Sequence, residues 1–189
     1  MVNPNIITRP ATRNDADIIA RVVAMAIGDE YALRRYCGED YMDVLAEIAL
    51  SEDTQYSWQY AIVAEVEGRV AGAVIGYDGA HLHILREGTF ATIRRSTGHT
   101  PAIVDETEPD EYYLDSIGVL PEYRGMGVGS ALIEAFCAKA FAEGHSRVGL
   151  IVDIDNPDAE KLYTPLGFKR IGTKPFFTHQ MWHLQRERL

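Results

Sequence analysis

Hydrophobic and polar positions follow two different periods along the chain, and these periods predict the order of strands and helices. Apolar, β-prone runs typical of strands occupy residues 5–9, 60–67, 70–77, 112–119, 147–152, 168–172 and 176–184. Apolar positions at helical spacing occupy 16–25, 40–50, 130–141 and 158–163. The pair 60–67 and 70–77, separated by Gly68 and Arg69, predicts a β-hairpin.

This order, with strands and helices mixed along the chain, predicts an α+β fold around a mixed sheet. We expect residues 1–189 to form a single domain. A long insertion, about 78–110, separates the hairpin from the next strand, and Leu82, Leu85, Phe90 and Ile93 within it could form a helical face. Segments of this length between strands are often lids or substrate loops.

Composition excludes several classes of protein. Hydrophobic content of 47% and charged content of 24% are ordinary for a globular domain. A net charge of -10 argues against nucleic acid as the main partner and is compatible with a cationic substrate, although solubility alone also explains it. Two cysteines, Cys37 and Cys137, are too few for a disulfide framework, so we expect a cytoplasmic protein with reduced thiols. We expect neither a secretory signal nor a membrane span.

The loop R-G-M-G-V-G at 124–129 lies between the predicted strand 112–119 and the predicted helix 130–141. Its glycines leave backbone N–H groups unshielded, and the N-terminus of the following helix adds a positive dipole end. Arg124 adds a full positive charge. The loop therefore predicts a phosphate-bearing ligand, held by the N–H groups of Gly125, Met126, Gly127, Val128, Gly129 and Ser130.

Two common phosphate loops do not fit this stretch. A dinucleotide fingerprint needs a third glycine where Ser130 stands, and an acidic residue about 20 positions after Gly125, where His145 stands. A Walker A loop needs the triplet Gly-Lys-Ser or Gly-Lys-Thr, which does not occur in the chain.

A second motif lies downstream, N-P-D-A-E-K-L-Y-T-P-L-G-F at 156–168. Together the two motifs resemble the GNAT family of acyl-coenzyme A-dependent N-acetyltransferases. The family's loop pattern Q/R-x-x-G-x-G/A is met by Arg124, Gly127 and Gly129, and its pattern N-x-x-A-x-x-L-Y-x-x-x-G-F is met from Asn156 to Phe168. The resemblance covers about a third of the chain. It implies a GNAT-like fold with a central mixed sheet of about seven strands flanked by helices.

The resemblance also implies a co-substrate and a reaction. Acetyl-coenzyme A would donate its acetyl group to a primary amine of a small molecule or peptide by direct attack on the thioester. The pyrophosphate would lie on the glycine loop, and the pantetheine arm would pair with the backbone of Ile117 and Val119. One of these N–H groups would polarise the thioester carbonyl. Asn156 matches the family position that often hydrogen-bonds the arm.

Two catalytic roles follow from the same resemblance. Tyr163 matches the family tyrosine near the sulfur and would act as the general acid for the leaving thiolate. Tyr113, Asp115, Ile117 and Val119 alternate along the strand, which predicts that they share one face, with Asp115 near the acyl end. We expect Asp115 to be the general base, against a structural carboxylate as the alternative reading; Glu111 is the second candidate base, and Tyr113 could line the substrate site.

Residues of the first two helices and of the insertion could contact the substrate. The aromatic candidates are Tyr31, Tyr36 and Trp58, and the candidates for an ammonium group are Glu30, Glu39 and Asp40; ordinary surface or packing roles are the alternative for each. His81 and His83 lack further ligands at matching spacing, so we expect no metal site. We interpret Cys137 as a packing residue.

Other functions remain open at this point. A non-catalytic acyl-coenzyme A binding or sensing module would have the same loop, and a nucleotide could occupy it as well. Many GNAT members are dimers, so a homodimer is compatible with the resemblance, although the sequence identifies no interface.

Overall fold

The computed structural model describes residues 5–156, 161–176 and 179–188, which form a seven-stranded sheet with helices on both faces. The strands are β1 Ile6–Pro10, β2 Ala61–Val66, β3 Arg69–Asp78, β4 Tyr112–Val119, β5 Arg147–Asp153, β6 Lys169–Phe176 and β7 His179–Glu187. The helices are α1 Ala16–Ile27, α2 Glu30–Cys37, α3 Tyr41–Leu50, α4 Leu82–Thr97 and α5 Val128–Ala142.

The sheet has the order β1-β2-β3-β4-β5-β7-β6. Its neighbouring strands are antiparallel except for β4 and β5, which are parallel and are joined by α5. The predicted α+β class and the mixed seven-stranded sheet are therefore confirmed.

Two hydrophobic cores lie on opposite faces of the sheet. One lies under α1, α2 and α3, where Ile19, Val23, Leu45 and Ile48 are fully buried. The other lies under α5 and is centred on side chains such as Phe136. The α4 helix covers a smaller cluster that includes Tyr77 and Tyr113 from β3 and β4. The sheet thus has a four-helix layer on one face and α5 on the other.

Several predicted boundaries differ from the structure. The helix α2 was not predicted; it begins after Asp29, whose side chain accepts a hydrogen bond from the N–H of Ala32, and it ends at Gly38. The hairpin turn consists of Glu67 and Gly68, both at positive φ, rather than Gly68 and Arg69. The strand β6 is longer than the predicted 168–172, and β7 lies three residues beyond the predicted 176–184. The helix α5 begins at Val128, inside the glycine loop.

The insertion at 78–110 contains the regular helix α4, Leu82–Thr97, and then a segment without helix or strand over 98–110. Leu82, Leu85 and Ile93 of α4 are buried and Phe90 is partly buried, as the helical face predicted. The predicted helix 158–163 falls partly on residues 157–160, which lie outside the described residues. Within the described ranges, no helix has both the length and the apolar character needed to cross a bilayer.

Candidate active site

The parallel strands β4 and β5 separate soon after they meet. Their ladder consists of the pairs Tyr112 with Val148 and Tyr113 with Gly149. Beyond Tyr113, β4 continues to Val119 without a β5 partner in this ladder. The edge of β4 that faces β5 therefore presents backbone groups that an extended ligand can pair with.

A β-bulge lies in β4 just beyond this point, opposite the step from Ile75 to Gly76 of β3. Ile75 pairs with Ser116 and Gly76 with Leu114, so Asp115 is the extra residue. The bulge overturns the predicted alternation. Ile117 and Val119 pack in the core under α5, whereas Asp115 hydrogen-bonds to Tyr77 on the opposite face and Tyr113 packs there against Tyr77.

The glycine loop connects the end of β4 to α5. Gly125 and Gly127 have φ of 75° and 90°, a region that favours glycine, and Gly127 is the N-cap of α5. Because the first N–H groups of a helix have no intrahelical partners, those at the start of α5 are available to an anion. Arg124 beside them donates from Nε to the carbonyl of Val119 at 3.2 Å.

A cleft of about 910 Å³ joins the separated strand edge to this loop. Ile117, Val119, Arg124 and Asn156, four of the residues predicted to bind the cofactor, line it together. Its remaining wall comes mainly from α1 and α2, as Ala24, Met25, Gly28, Glu30 and Leu33, together with Gly118 of β4. The cleft can therefore hold an extended ligand along β4 and a second molecule against α1 and α2.

Asp115 lies at the edge of a buried polar network on the face of β4 opposite α5. Its Oδ2 accepts a hydrogen bond of 2.9 Å from the Tyr77 hydroxyl, and its Oδ1 accepts one of 2.9 Å from Ser116. Burial raises the pKa of this carboxyl, and the hydrogen bonds and the charge of Arg86 offset part of that effect. A carboxylate with a raised pKa is suited to accept a proton near neutral pH.

Glu106, from the segment between α4 and β4, reaches the same network and was not identified from the sequence. Its Oε1 lies 3.4 Å from the Tyr77 hydroxyl and 3.3 Å from Nε2 of Gln55, while Arg86 of α4 pairs with its Oε2. Burial, and then the charge of Asp115, raise the pKa of Glu106. Sequence spacing carries no signal for Glu106 because its partners come from four separate parts of the chain.

Glu111, the second candidate base, has a different environment. It is fully buried, and its Oε2 contacts Nε2 of His183 at 2.8 Å and Nε2 of Gln185 at 2.6 Å. Its Oε1 accepts from the Thr107 hydroxyl at 2.8 Å and the N–H of Glu108 at 3.1 Å. Burial alone would raise its pKa, but the hydrogen bonds outweigh burial and the pKa is lowered. Glu111 links the start of β4 to β7.

Tyr163, the predicted acid, lies buried on the α5 face and packs edge-on against Phe168, with ring centroids 5.7 Å apart. Burial raises the pKa of its phenol to about 12. The phenol therefore remains protonated near neutral pH and is a weaker acid than an exposed tyrosine.

The predicted substrate residues divide between the cleft and other places. Glu30 lines the cleft and pairs with Arg34 at 2.8 Å. Tyr36 is buried, with its hydroxyl 3.3 Å from that of Tyr56. The others lie outside the described cleft lining: Tyr31 is 69% exposed, Trp58 is partly buried, Glu39 pairs with Arg34, and Asp40 is exposed before α3.

The histidines and cysteines of interest have ordinary partners. His83 lies 3.2 Å from the carboxylate of Asp105, and no group of three or more potential metal ligands occurs within the described ranges. Cys137 is buried in the core under α5, and burial raises its thiol pKa to about 11.

Comparison with known proteins identifies the family to which this architecture belongs. Residues 29–168 match the Acetyltransferase (GNAT) family. An N-alpha-acetyltransferase of Sulfurisphaera tokodaii is 30% identical over 153 residues, covering 76% of this chain and 83% of that protein. The chain therefore belongs to the GNAT acetyltransferase family, and the resemblance inferred from its motifs is confirmed.

Solved structures agree with this assignment over nearly the whole chain. A crystal structure described as an acetyltransferase superposes with a TM-score of 0.81 at 35% identity, covering 96% of this chain and 98% of that one. An N-acetyltransferase from Staphylococcus aureus Mu50 also gives 0.81, at 28% identity, covering 95% and 99%. Among other curated relatives that it matches, the chain spans 24%, 41% and 56% of their length.

Proposed function

We propose that this protein is an N-acetyltransferase that transfers an acetyl group from acetyl-coenzyme A to a primary amine. The observation that carries the proposal is the continuous cleft. It joins the separated edge of β4 to the glycine loop and contains Ile117, Val119, Arg124 and Asn156. A ligand with a phosphate group at one end and an amide-bearing arm at the other matches both parts of that cleft.

The residues at the loop fit coenzyme A. The N–H groups of 125–130 and the guanidinium of Arg124 would hold the pyrophosphate. A side chain at Gly127 would need an unfavourable positive φ, which keeps this part of the loop bare. The backbone of Ile117 and Val119 would pair with the arm, and Asn156 at the cleft wall would hydrogen-bond to it. Bound there, acetyl-coenzyme A supplies the activated acetyl group.

Asp115 and Tyr163 are the groups of this chain that would move protons. Asp115 would take the proton of the attacking amine, directly or through a water, because its raised pKa makes it a usable base near neutral pH. Tyr163 would donate its phenolic proton to the departing sulfur. Glu111 is not a base in this scheme, since its four hydrogen-bond contacts outweigh burial and lower its pKa, whereas the pKa of Asp115 is raised.

The substrate would be a small molecule or peptide that presents its amine between α1, α2 and β4. Relatives carry the names N-alpha-acetyltransferase and mycothiol acetyltransferase, which support an amine acceptor without specifying it. Glu30 at the cleft would attract a cationic group. We place the protein in the cytoplasm, where acetyl-coenzyme A is available, and treat residues 1–189 as one domain.

An acetyl-transfer screen tests the proposal. Purified protein with acetyl-coenzyme A is offered polyamines, aminoglycosides, amino acids and peptides with free N-termini, and release of thiol is measured. We expect amine-dependent thiol release with at least one class. Stable coenzyme A binding without transfer to any of these amines would favour the alternative, a non-catalytic acyl-coenzyme A sensor.

Gly127→Asp tests the loop. It places bulk and negative charge where the pyrophosphate would lie, so coenzyme A should no longer stabilise the protein against heat. Gly144→Asp is the matched control, because Gly144 also has a positive φ, 97°, and open space around it, but lies at the other end of α5. Retained stabilisation in Gly127→Asp, or stronger stabilisation of the native protein by ATP or NAD, would contradict the assignment.

A further inference from the structure

Two buried carboxylates share one tyrosine hydroxyl beside the bulge of β4. Tyr77 donates to Asp115 at 2.9 Å, and its oxygen lies 3.4 Å from Oε1 of Glu106. A phenol has a single proton, so it cannot donate to both carboxylates at once. When Glu106 carries a proton, it can donate to Tyr77 while Tyr77 donates to Asp115, which forms a continuous chain.

Residues of the insertion hold the Glu106 end of this chain of hydrogen bonds. Arg86 of α4 pairs through Nη2 with Glu106 and through Nη1 with Asp105, the latter at 2.6 Å. The Arg86 and Glu106 side chains are only 8% and 6% exposed, whereas that of Asp105 is 49% exposed. Nε2 of Gln55 lies 2.9 Å from the Tyr77 hydroxyl and 3.3 Å from Oε1 of Glu106. Glu106 is therefore held by Arg86 at Oε2 and by Gln55 at Oε1, and its Oε1 also faces Tyr77.

We infer that Glu106 is a positioning residue for the proposed reaction, acting on Asp115 through the Tyr77 hydroxyl, with Arg86 balancing the two carboxylates. The inference rests on the proposed function, in which Asp115 is the base. It assigns the insertion a defined role: the segment after α4 sets the protonation of the base. When two coupled carboxyls share a buried site, their protons are lost in two steps, and the pKa of each step is a property of the pair and not of one residue.

The charged and titratable groups around the pair support this coupling. The negative charge of Asp115 disfavours ionisation of Glu106, and the positive charge of Arg86 favours ionisation of both carboxyls. The groups that face the pair are Tyr36 from α2, Tyr56 from the loop before β2, Tyr77 from β3, Arg86 from α4, Asp105 from the insertion, and Tyr113 from β4.

A carboxyl-carbon NMR titration of the protein without substrate tests the inference directly. In the native protein, we expect the resonances of Asp115 and Glu106 to follow the same two inflections. In Glu106→Gln, Asp115 should titrate in a single step, about 1 pH unit or more below the upper step of the native protein, because Arg86 then lacks its buried counter-charge. Asp105→Asn is the matched control, since solvent screens this second partner of Arg86, and it should shift the steps by less than half as much.

A double variant keeps the test valid if Glu106→Gln alone fails to fold. Combining Glu106→Gln with Arg86→Met removes the whole buried ion pair, a change that proteins often tolerate. Asp115 should again titrate in one step, but at a higher pH than in Glu106→Gln alone, because the favourable positive charge is gone. A step at the same pH in both variants would overturn the role given to Arg86.

The results separate this inference from the proposed function. Independent single-step titrations in the native protein, or an Asp115 titration unchanged by Glu106→Gln, would overturn the inference. The pH profile of kcat is measured in parallel, and its acidic limb should follow the NMR steps. If the titrations change as expected while the limb stays in place, the coupling stands and Asp115 is not the base.

Discussion

Two buried carboxylates lie four residues apart around the start of β4, and their environments are opposite. Both oxygens of Glu111 accept hydrogen bonds, from Thr107, Glu108 and Gln185 together with the contact to His183, and its pKa is lowered. Asp115 accepts from Tyr77 and Ser116 beside the second carboxylate of Glu106, and its pKa is raised.

Hydrogen-bond donors and nearby charges distinguish a structural carboxylate from a functional one. A carboxylate whose acceptor positions are filled by fixed donors is stabilised as an anion and has no reason to take up a proton. A buried carboxylate near a like charge is poised to take one. By this criterion Glu111 supports the fold where β4, β5 and β7 meet, whereas Asp115 is the carboxylate that we propose as the base.

The largest expected effect on stability comes from Glu111→Ala. The change leaves His183 and Gln185 buried without their partner, so we expect a loss of about 3 to 5 kcal/mol in the free energy of unfolding. Urea denaturation measures this loss. A loss below about 1 kcal/mol would mean that the Glu111 network is not structural.

Gly149→Ala tests the same Glu111 network and should have a smaller effect on stability. A Cβ at Gly149 would lie 1.8 Å from Oε2 of Glu111, the oxygen that contacts His183 and Gln185, so the carboxylate must shift from its present position. We expect a loss of about 1 to 3 kcal/mol, as for other overpacked sites. Thermal unfolding checks it; Gly172→Ala, where a Cβ meets nothing within 4 Å, is the control and should be nearly neutral.

The two carboxylates should also give opposite dependences of stability on pH. The lowered pKa of Glu111 means that its contribution is present above the unfolded pKa and is lost as pH falls through the folded one. The raised pKa of Asp115 means that stability is lost as pH rises from 3.8 through the folded pKa, by at most about 1.4 kcal/mol per pH unit.

Unfolding free energies of the native protein, Glu111→Gln and Asp115→Asn across pH measure this contrast. The advantage of the native protein over Glu111→Gln should shrink on acidification. Relative to Asp115→Asn, the native protein should lose stability as pH rises. Parallel curves for all three proteins would contradict the assigned pKa directions.

The smallest expected effect sets a baseline for an exposed carboxylate. Glu52 pairs with Arg13 at 3.6 Å, and both side chains are 59% exposed. Glu52→Gln should change the free energy of unfolding by no more than about 0.5 kcal/mol, because water screens the pair. A loss comparable to that of Glu111→Ala would remove the distinction between buried and exposed acids.

Local periodicity predicted those features whose causes are local. The hairpin β2–β3, the glycine loop and the helical face of α4 each depend on residues within about one element, and the structure contains all three. The short helix α2 was missed because eight residues give a weak period, although Asp29 before it and Gly38 after it are ordinary helix boundaries.

Features that depend on distant partners were not predictable in this way. The bulge at Asp115 arises from the register between β3 and β4, and a shift of one residue moved Ile117 and Val119 to the other face. Glu111 meets His183 and Gln185 at separations of 72 and 74 residues. The shared network of Asp115 and Glu106 likewise required the fold.

The most direct test of the central claim compares kcat and thermal stability of Asp115→Asn and Glu111→Gln, with a substrate from the acetyl-transfer screen. If Asp115 is the base, Asp115→Asn should lower kcat by roughly 10²-fold or more while its melting temperature stays close to that of the native protein. Glu111→Gln should lower the melting temperature while kcat per folded molecule stays within a few-fold of native. Full turnover by Asp115→Asn, or an equal loss of kcat in both variants, would contradict the account.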